Sequence, residues 1–194
     1  MLAACLCVLG SGPARAQQGV PLDTNSLDSP MLNRQPVIVP ANVAAVNEAN
    51  LLLRKGDKPG ALKRIDAGLE QFPKDAQLRF LRAVVLGDLG RSDEAVTVLE
   101  GMMADFPELP EPYNNLAVIR ANQGRTADAE HLLLQSIAAQ STYATARENL
   151  GDLYVAMAVA SYDQAGKLDP ANAVVKKKLE MARDLNTRLH RNLR

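Results

Sequence analysis

Side chains able to do acid–base, nucleophilic or metal chemistry are few in this chain, and they are scattered. His131 and His190 are the only two histidines, and they fall far apart on presumed helix surfaces. The two cysteines, Cys5 and Cys7, sit inside an apolar N-terminal run. A zinc set needs three or four such ligands brought together, and none can be assembled from these. No glycine-rich phosphate loop and no Ser-His-Asp constellation is present. The conspicuous carboxylates, Asp57, Asp93, Glu94 and Asp128, each follow a glycine turn, where they suit the positive end of a helix dipole. The expectation is therefore a non-enzymatic protein with no catalytic residue, no metal and no cofactor.

What remains is recognition, and composition narrows the partner. Lys plus Arg and Asp plus Glu number 22 each over 194 residues, so no global field steers the chain toward nucleic acid. With four Tyr, three Phe and no Trp, the core must be filled by Ala, Leu, Val and Ile. Small side chains of that kind suit helices packed closely together.

The elements that position everything else recur. Ala49, Ala83, Ala117 and Gly151 are spaced 34 residues apart, as are Gly56, Gly90 and Gly124, and Ala61, Ala95 and Ala129. Between the glycines lie apolar residues at helical spacing, such as Leu116, Ala117 and Ile119 before Gly124, then Ala129, Leu132, Leu133 and Ile137 after it. Each unit reads as two short helices joined by a glycine turn. The first is stopped by Pro73 and the second by Pro107, because proline cannot donate the bond that continues a helix. The turn glycines are expected in the left-handed cap conformation, which costs a residue with a Cβ about 1 kcal/mol. Larger side chains at Ala61, Ala95 or Ala129 should overpack the helix crossing by about 1–3 kcal/mol.

Before the repeats, residues 2–10 are apolar and Ala14-Arg15-Ala16 precedes Gln17, the small-x-small pattern of a secretory cleavage site. Residues 1–16 are read as a signal peptide, which implies an exported, periplasmic protein. No Lys or Arg precedes the apolar run, so the true start is expected upstream. In that case Leu2-Ala3-Ala4-Cys5 has the form of a lipoprotein box, with Cys5 the lipidated residue. Residues 17–40 carry Pro21, Pro30, Pro36 and Pro40 and read as an extended linker, with Val37-Ile38-Val39 able to pack along the first repeat.

Residues 41–172 resemble the tetratricopeptide repeat family, whose units are 34-residue helix-turn-helix pairs. The fourth copy carries the family elements most plainly: Leu150-Gly151-x-x-Tyr154, then Ala158 and Tyr162, then Pro170. The resemblance implies an all-α fold, a right-handed α-α superhelix or solenoid of about four repeats at 42–74, 75–109, 110–143 and a shortened 144–171. A capping helix at 172–190 completes it. The fourth copy departs from the pattern, since Ala49 to Ala61, Ala83 to Ala95 and Ala117 to Ala129 each span 12 positions but Gly151 to Ala158 spans 7. The missing residues are the turn, so one helix from about 145 to 167 is expected. The last helix has an apolar stripe of Val175, Leu179, Ala182, Leu185 and Leu189 and a basic polar side, seven Lys or Arg from residue 176 to the end.

In this family the first helix of each pair lines a concave groove that receives a peptide or protein. The matching positions here are Asn50, Phe80, Val84, Asn114, Val118, Glu148 and Asp152, with Asn47, Asn115 and Asn149 beside them. Asparagine amides there could bond a peptide backbone, and Phe80, Val84 and Val118 would offer an apolar strip. Asn115 and Asn149 could equally stitch neighbouring helices together. Members that clamp a C-terminal carboxylate use lysines where this chain has Val46 and Glu111, which disfavours that class of partner. The reading is a protein–protein interaction scaffold or adaptor of the bacterial cell envelope. The alternative is a self-assembling structural component or a lipid-anchored assembly factor, with membrane contact through a lipid or the basic helix.

Overall fold

The computed structural model describes residues 40–191. The expected signal peptide, Cys5, and the linker up to Val39 lie outside the described residues. The described chain is eight helices with no strand: α1 (Ala41–Arg54), α2 (Lys58–Gln71), α3 (Ala76–Asp88), α4 (Ser92–Asp105), α5 (Pro110–Asn122), α6 (Thr126–Ala139), α7 (Ala144–Leu168) and α8 (Ala173–Arg191). An all-α solenoid is what the sequence led us to expect.

The three tight turns share one mechanism. Gly56, Gly90 and Gly124 have φ of 78°, 76° and 77°, the left-handed region that a side chain resists. Each turn closes with a paired set of hydrogen bonds: Gly56 N–H to the Leu53 carbonyl at 2.9 Å and Asp57 N–H to the Leu52 carbonyl at 3.0 Å in the first. Arg91 N–H to Leu86 and Arg125 N–H to Arg120 repeat the longer loop, each at 2.9 Å. This double closure satisfies carbonyls that a helix end would otherwise leave open. Entry into the next helix is fixed by side chains. Asp57 accepts from the Gly60 N–H at 2.9 Å, and Asp75 from the Leu78 N–H at 2.8 Å. At the start of α4, Arg91 grips Glu94 through two nitrogens at 2.6 and 2.7 Å, a bond that lowers the Glu94 pKa and raises that of Arg91.

The periodic alanines Ala49, Ala61, Ala83, Ala95, Ala117 and Ala129 are all buried where paired helices cross. The core is two overlapping clusters sharing α3. Leu78, Leu81, Val85 and Leu86 face the first hairpin, while Phe80, Ala83 and Val84 join Leu99, Met102, Leu116 and Leu133 toward the third. Ser136, fully buried on α6, donates to the Pro110 carbonyl at 2.8 Å and so ties the third hairpin at its open end.

Past the third hairpin the pattern changes. α7 is a single unbroken helix of 25 residues, without the turn that the earlier units contain. Ala146 and Leu153 bury its first half against the preceding hairpin. Gly151, exposed, stands where Ala49, Ala83 and Ala117 are buried, and a Cβ placed there would meet nothing within 4 Å. α8 returns along α7 instead, with Val175 beside Gly166, the Lys178 ammonium 5.8 Å from the Tyr162 ring centroid, and Arg183 bonded to Asp163 at 2.8 Å. The inward stripe differs from expectation at one residue: Leu185 is exposed, and Asn186 holds the inward register between Ala182 and Leu189. A helix turns 100° per residue, so after Ala182 the position four on keeps the register better than the position three on. Val174, Met181 and Leu185 leave an apolar fringe on the outer side of this cap, in place of a uniformly polar face.

Candidate binding furrow

The first helices of neighbouring hairpins are not evenly packed. The backbones of α1 and α3 and of α5 and α7 approach closely, whereas α3 and α5 stand further apart and meet through side chains, Phe80, Ala83 and Val84 sharing one buried cluster with Tyr113, Leu116 and Ala117. Between them runs a furrow floored by α4. Toward the C-terminal ends of α3 and α5 it opens into a cleft of about 270 Å³, bounded by Ala83 and Gly87 on α3 and by Asn115, Val118 and Asn122 on α5, with Ser92 and Leu99 beneath. Toward the N-terminal ends lies a smaller, almost wholly apolar hollow of about 180 Å³, between Ala76, Gln77 and Phe80 on one side and Glu111 and Pro112 on the other, over Met102 and Leu109. Corresponding lining residues on each helix are about seven apart, which at 1.5 Å per residue separates the two by roughly 10 Å. Small side chains explain the opening: Ala83 and Gly87, one turn apart, present little bulk to α5.

A directional chain of amides runs across the inner wall of this furrow. Asn149 on α7 donates from Nδ2 to Asn114 Oδ1 at 2.8 Å, and Asn114 Nδ2 donates to Asn115 Oδ1 at 3.3 Å. Because each oxygen is taken by the preceding residue, the series ends in a free donor, Asn115 Nδ2, which is buried and has no partner within the described residues. Asn115 is 2 % exposed and lines the larger cleft. A buried, unpaired amide N–H costs about 1–3 kcal/mol, so an acceptor admitted through the cleft, water included, would stabilise this site.

The expected groove residues therefore separate into different roles. Asn114, at 0 % exposure, is a relay inside the wall and no ligand reaches it. Asn149 is the first donor of that relay and does stitch α7 to α5. Phe80 and Val84, each 5 % exposed, do not form an open apolar strip, because their side of α3 turns into the core shared with α4 and α5. Phe80 still contributes one wall of the hollow. Val118 and Asn115 line the cleft, whereas Asn50, Glu148 and Asp152 lie on α1 and α7, outside both openings. Gly87, Ser92, Asn122 and Gln123 were not expected. Gly87 carried a signal, since it is the one glycine on α3 and lies four residues after Ala83.

No acid–base centre accompanies the furrow. The shifted groups are elsewhere: the Tyr154 hydroxyl is raised because it donates to Glu130 at 2.8 Å, and Asp163 is lowered by its bond to Lys167 and by Arg183. Among the described residues no cluster of His, Cys, Asp or Glu could hold a metal ion, and no helix is long and apolar enough to cross a membrane.

Comparison with known proteins fits this geometry. Residues 46–110 match the family model described as tetratricopeptide repeat. No curated protein sequence matches the chain. Among solved structures, the first tetratricopeptide domain of Spaghetti (RPAP3) bound to the HSP90 peptide SRMEEVD superposes at a TM-score of 0.55, with 15% identity over 61% of this chain and 94% of that one. MamA superposes at 0.53, with 18% identity over 79% and 90%. A tetratricopeptide repeat protein from Parabacteroides merdae gives 0.54, with 16% identity over 79% and 65%. At these identities the likeness is one of fold.

Proposed function

The chain belongs to the tetratricopeptide repeat family, a fold of protein–protein interaction scaffolds, and from that premise we propose that it is a non-enzymatic adaptor that captures an extended segment of a partner protein in the furrow between α3 and α5. The observation that carries this reading is the free Asn115 amide at the end of the relay. A main-chain carbonyl supplies the acceptor it needs, and every peptide has one, so the contact holds the backbone without dictating a sequence. Val118, half-buried beside it, offers apolar contact. An acidic peptide such as the SRMEEVD seated on the Spaghetti (RPAP3) domain is not the ligand we favour. The two positions where such clamps place lysine are here Val46, buried in the core, and Glu111, a carboxylate on the rim of the hollow.

The site of action we propose is the bacterial cell envelope. It is supported by the apolar run at residues 2–10 and the Ala14-Arg15-Ala16 pattern ahead of Gln17. Intact mass of the protein recovered from periplasmic extract checks this directly, because a chain retaining residues 1–16 removes the argument for export.

Capture is tested with a display library of random twelve-residue peptides selected on the immobilised full chain and counter-selected on Val118→Arg. The expected result is a family of peptides retained by the native chain at low micromolar affinity and lost from Val118→Arg and Asn115→Leu, with circular dichroism unchanged. No enrichment, or peptides that bind all three chains equally, refutes the furrow as the site.

A further inference from the structure

The larger cleft lies where the repeat lacks a side chain. Residues 53, 87 and 121 occupy one place in three successive 34-residue units, and they read Leu, Gly and Ala. Leu53 packs against the first core cluster and Ala121 against the second, whereas Gly87 borders the cleft. Nothing in the fold itself requires a glycine there. Gly87 lies inside α3, away from the three turns whose positive φ favours glycine, and a Cβ built on it meets no atom within 4 Å. In a helix interior glycine is the poorest residue after proline, so this one weakens α3 and leaves an opening beside α5.

That opening has a definite size and polarity. An apolar cavity of about 150 Å³ accepts benzene, so a cleft of about 270 Å³ has room for a leucine or methionine side chain together with a main-chain carbonyl. Ala83, Gly87, Val118 and Ile119 make its sides apolar, and its polar lining, Ser92, Asn115, Asn122 and Gln123, is uncharged. An ion entering it would find no counter-charge, and an unpaired charge is the costliest group to bury. Asn115 Nδ2, buried with no partner within the described residues, fixes where a carbonyl beside the inserted side chain belongs.

We infer that the cleft is a pocket for one uncharged aliphatic side chain of the captured segment, of leucine or methionine size, and that Gly87 sets this size. The inference rests on capture in the furrow and adds what the Asn115 contact alone does not supply, a preference at one residue. The amide holds the backbone of any sequence, and the pocket selects the residue next to the held carbonyl. A side chain at position 87 competes with the ligand for the same space.

The probes are the N-acetyl N-methylamides of leucine, alanine, glutamate and lysine, each a single side chain between two carbonyls. They are titrated into the isotopically labelled full chain and followed through its amide NMR spectrum. The leucine compound should bind with about millimolar affinity and move the signals of Gly87, Asn115 and Val118. The alanine, glutamate and lysine compounds should each bind about tenfold or more weakly. Gly87→Leu should abolish the leucine shifts without lowering Tm. Gly87→Ala, the milder filling, should weaken the leucine compound severalfold and serves if the larger side chain disturbs α3. Equal affinity for the leucine and glutamate compounds, no leucine shifts at the cleft, or leucine binding unchanged in either folded variant overturns the inference. Display-selected peptides retained equally by the native chain and by Gly87→Leu also overturn it, while leaving capture intact. Leucine held at the cleft when no peptide enriches refutes capture and supports the pocket.

Discussion

Replacing the two ends of the amide relay should separate stability from binding, although the residues are bonded through the same Asn114. Consider Asn149→Leu first. It removes the 2.8 Å bond and leaves Asn114 Oδ1 buried and unpaired, a loss of about 1–3 kcal/mol. In a chain of this size that lowers Tm by about 2–4 °C per kcal/mol. Asn115→Leu is different. It orphans Asn114 Nδ2, but it also eliminates the donor that was already unpaired, so one buried unpaired N–H replaces another. The loss of the 3.3 Å bond, about 0.5–1.5 kcal/mol, is set against the burial of an added apolar side chain of similar worth, and the net change in stability should stay within about 1 kcal/mol. Binding reverses the order: Asn115→Leu removes the contact to the ligand carbonyl and should weaken a selected peptide by about 5- to 150-fold, whereas Asn149→Leu leaves that donor in place and should weaken it less than about threefold. Urea unfolding followed by circular dichroism and calorimetric titration of one selected peptide supply both readouts. If Asn115→Leu proves the more destabilising of the two, or leaves affinity intact, the relay does not end where the geometry places it.

Gly151→Ala and Gly124→Ala should have opposite signs: the first, exposed within α7 with open space around it, should stabilise by about 0.5–1 kcal/mol, and the second, at φ 77°, should destabilise by about 1 kcal/mol, both read as shifts in urea midpoint. Ala95→Leu and Ala129→Leu, each replacing a fully buried methyl between crossing helices, should cost about 1–3 kcal/mol or more in the same assay. Asp163 joins α8 to α7 through Arg183, and its pKa is lowered by the bond to Lys167 and by Arg183, so this attachment is complete above the ordinary carboxylate range and is lost as pH falls through its depressed value. Amide exchange in α8 should therefore accelerate selectively in strong acid, and Asp163→Asn should abolish that selectivity.

The repeat, the turns and the helix order were legible because each rests on a local rule recurring at a fixed interval. Gly56, Gly90 and Gly124 announce left-handed caps, and Ala61, Ala95 and Ala129 announce close crossings. The missing turn after Gly151 was legible as a gap in that interval, and the structure has one helix, Ala144–Leu168, where the spacing predicts 145–167. The furrow was legible only in part. The family resemblance implies the same outward role for Phe80, Val84 and Val118, yet Phe80 and Val84 are buried and Val118 borders a cleft. What separates them is the distance between α3 and α5, a tertiary quantity that depends on residues such as Gly87 outside the repeated positions. The direction of the amide relay was equally hidden, because it depends on which amide faces which across two helices. Leu185 and Asn186 show the same limit on a smaller scale, where one residue of phase decides which side chain meets α7.

The straight run of α7 makes the two ends of the array unlike. Wherever a hairpin turns back at a left-handed glycine, it leaves a flank on which another hairpin of the same kind can stack, so a duplicated 34-residue unit inserted before Ala144 finds matching neighbours on both sides. Beyond Ala144 no such flank exists: the chain continues straight and α8 closes over it. Lengthening of the array through gene duplication is therefore accommodated before Ala144 and blocked beyond it.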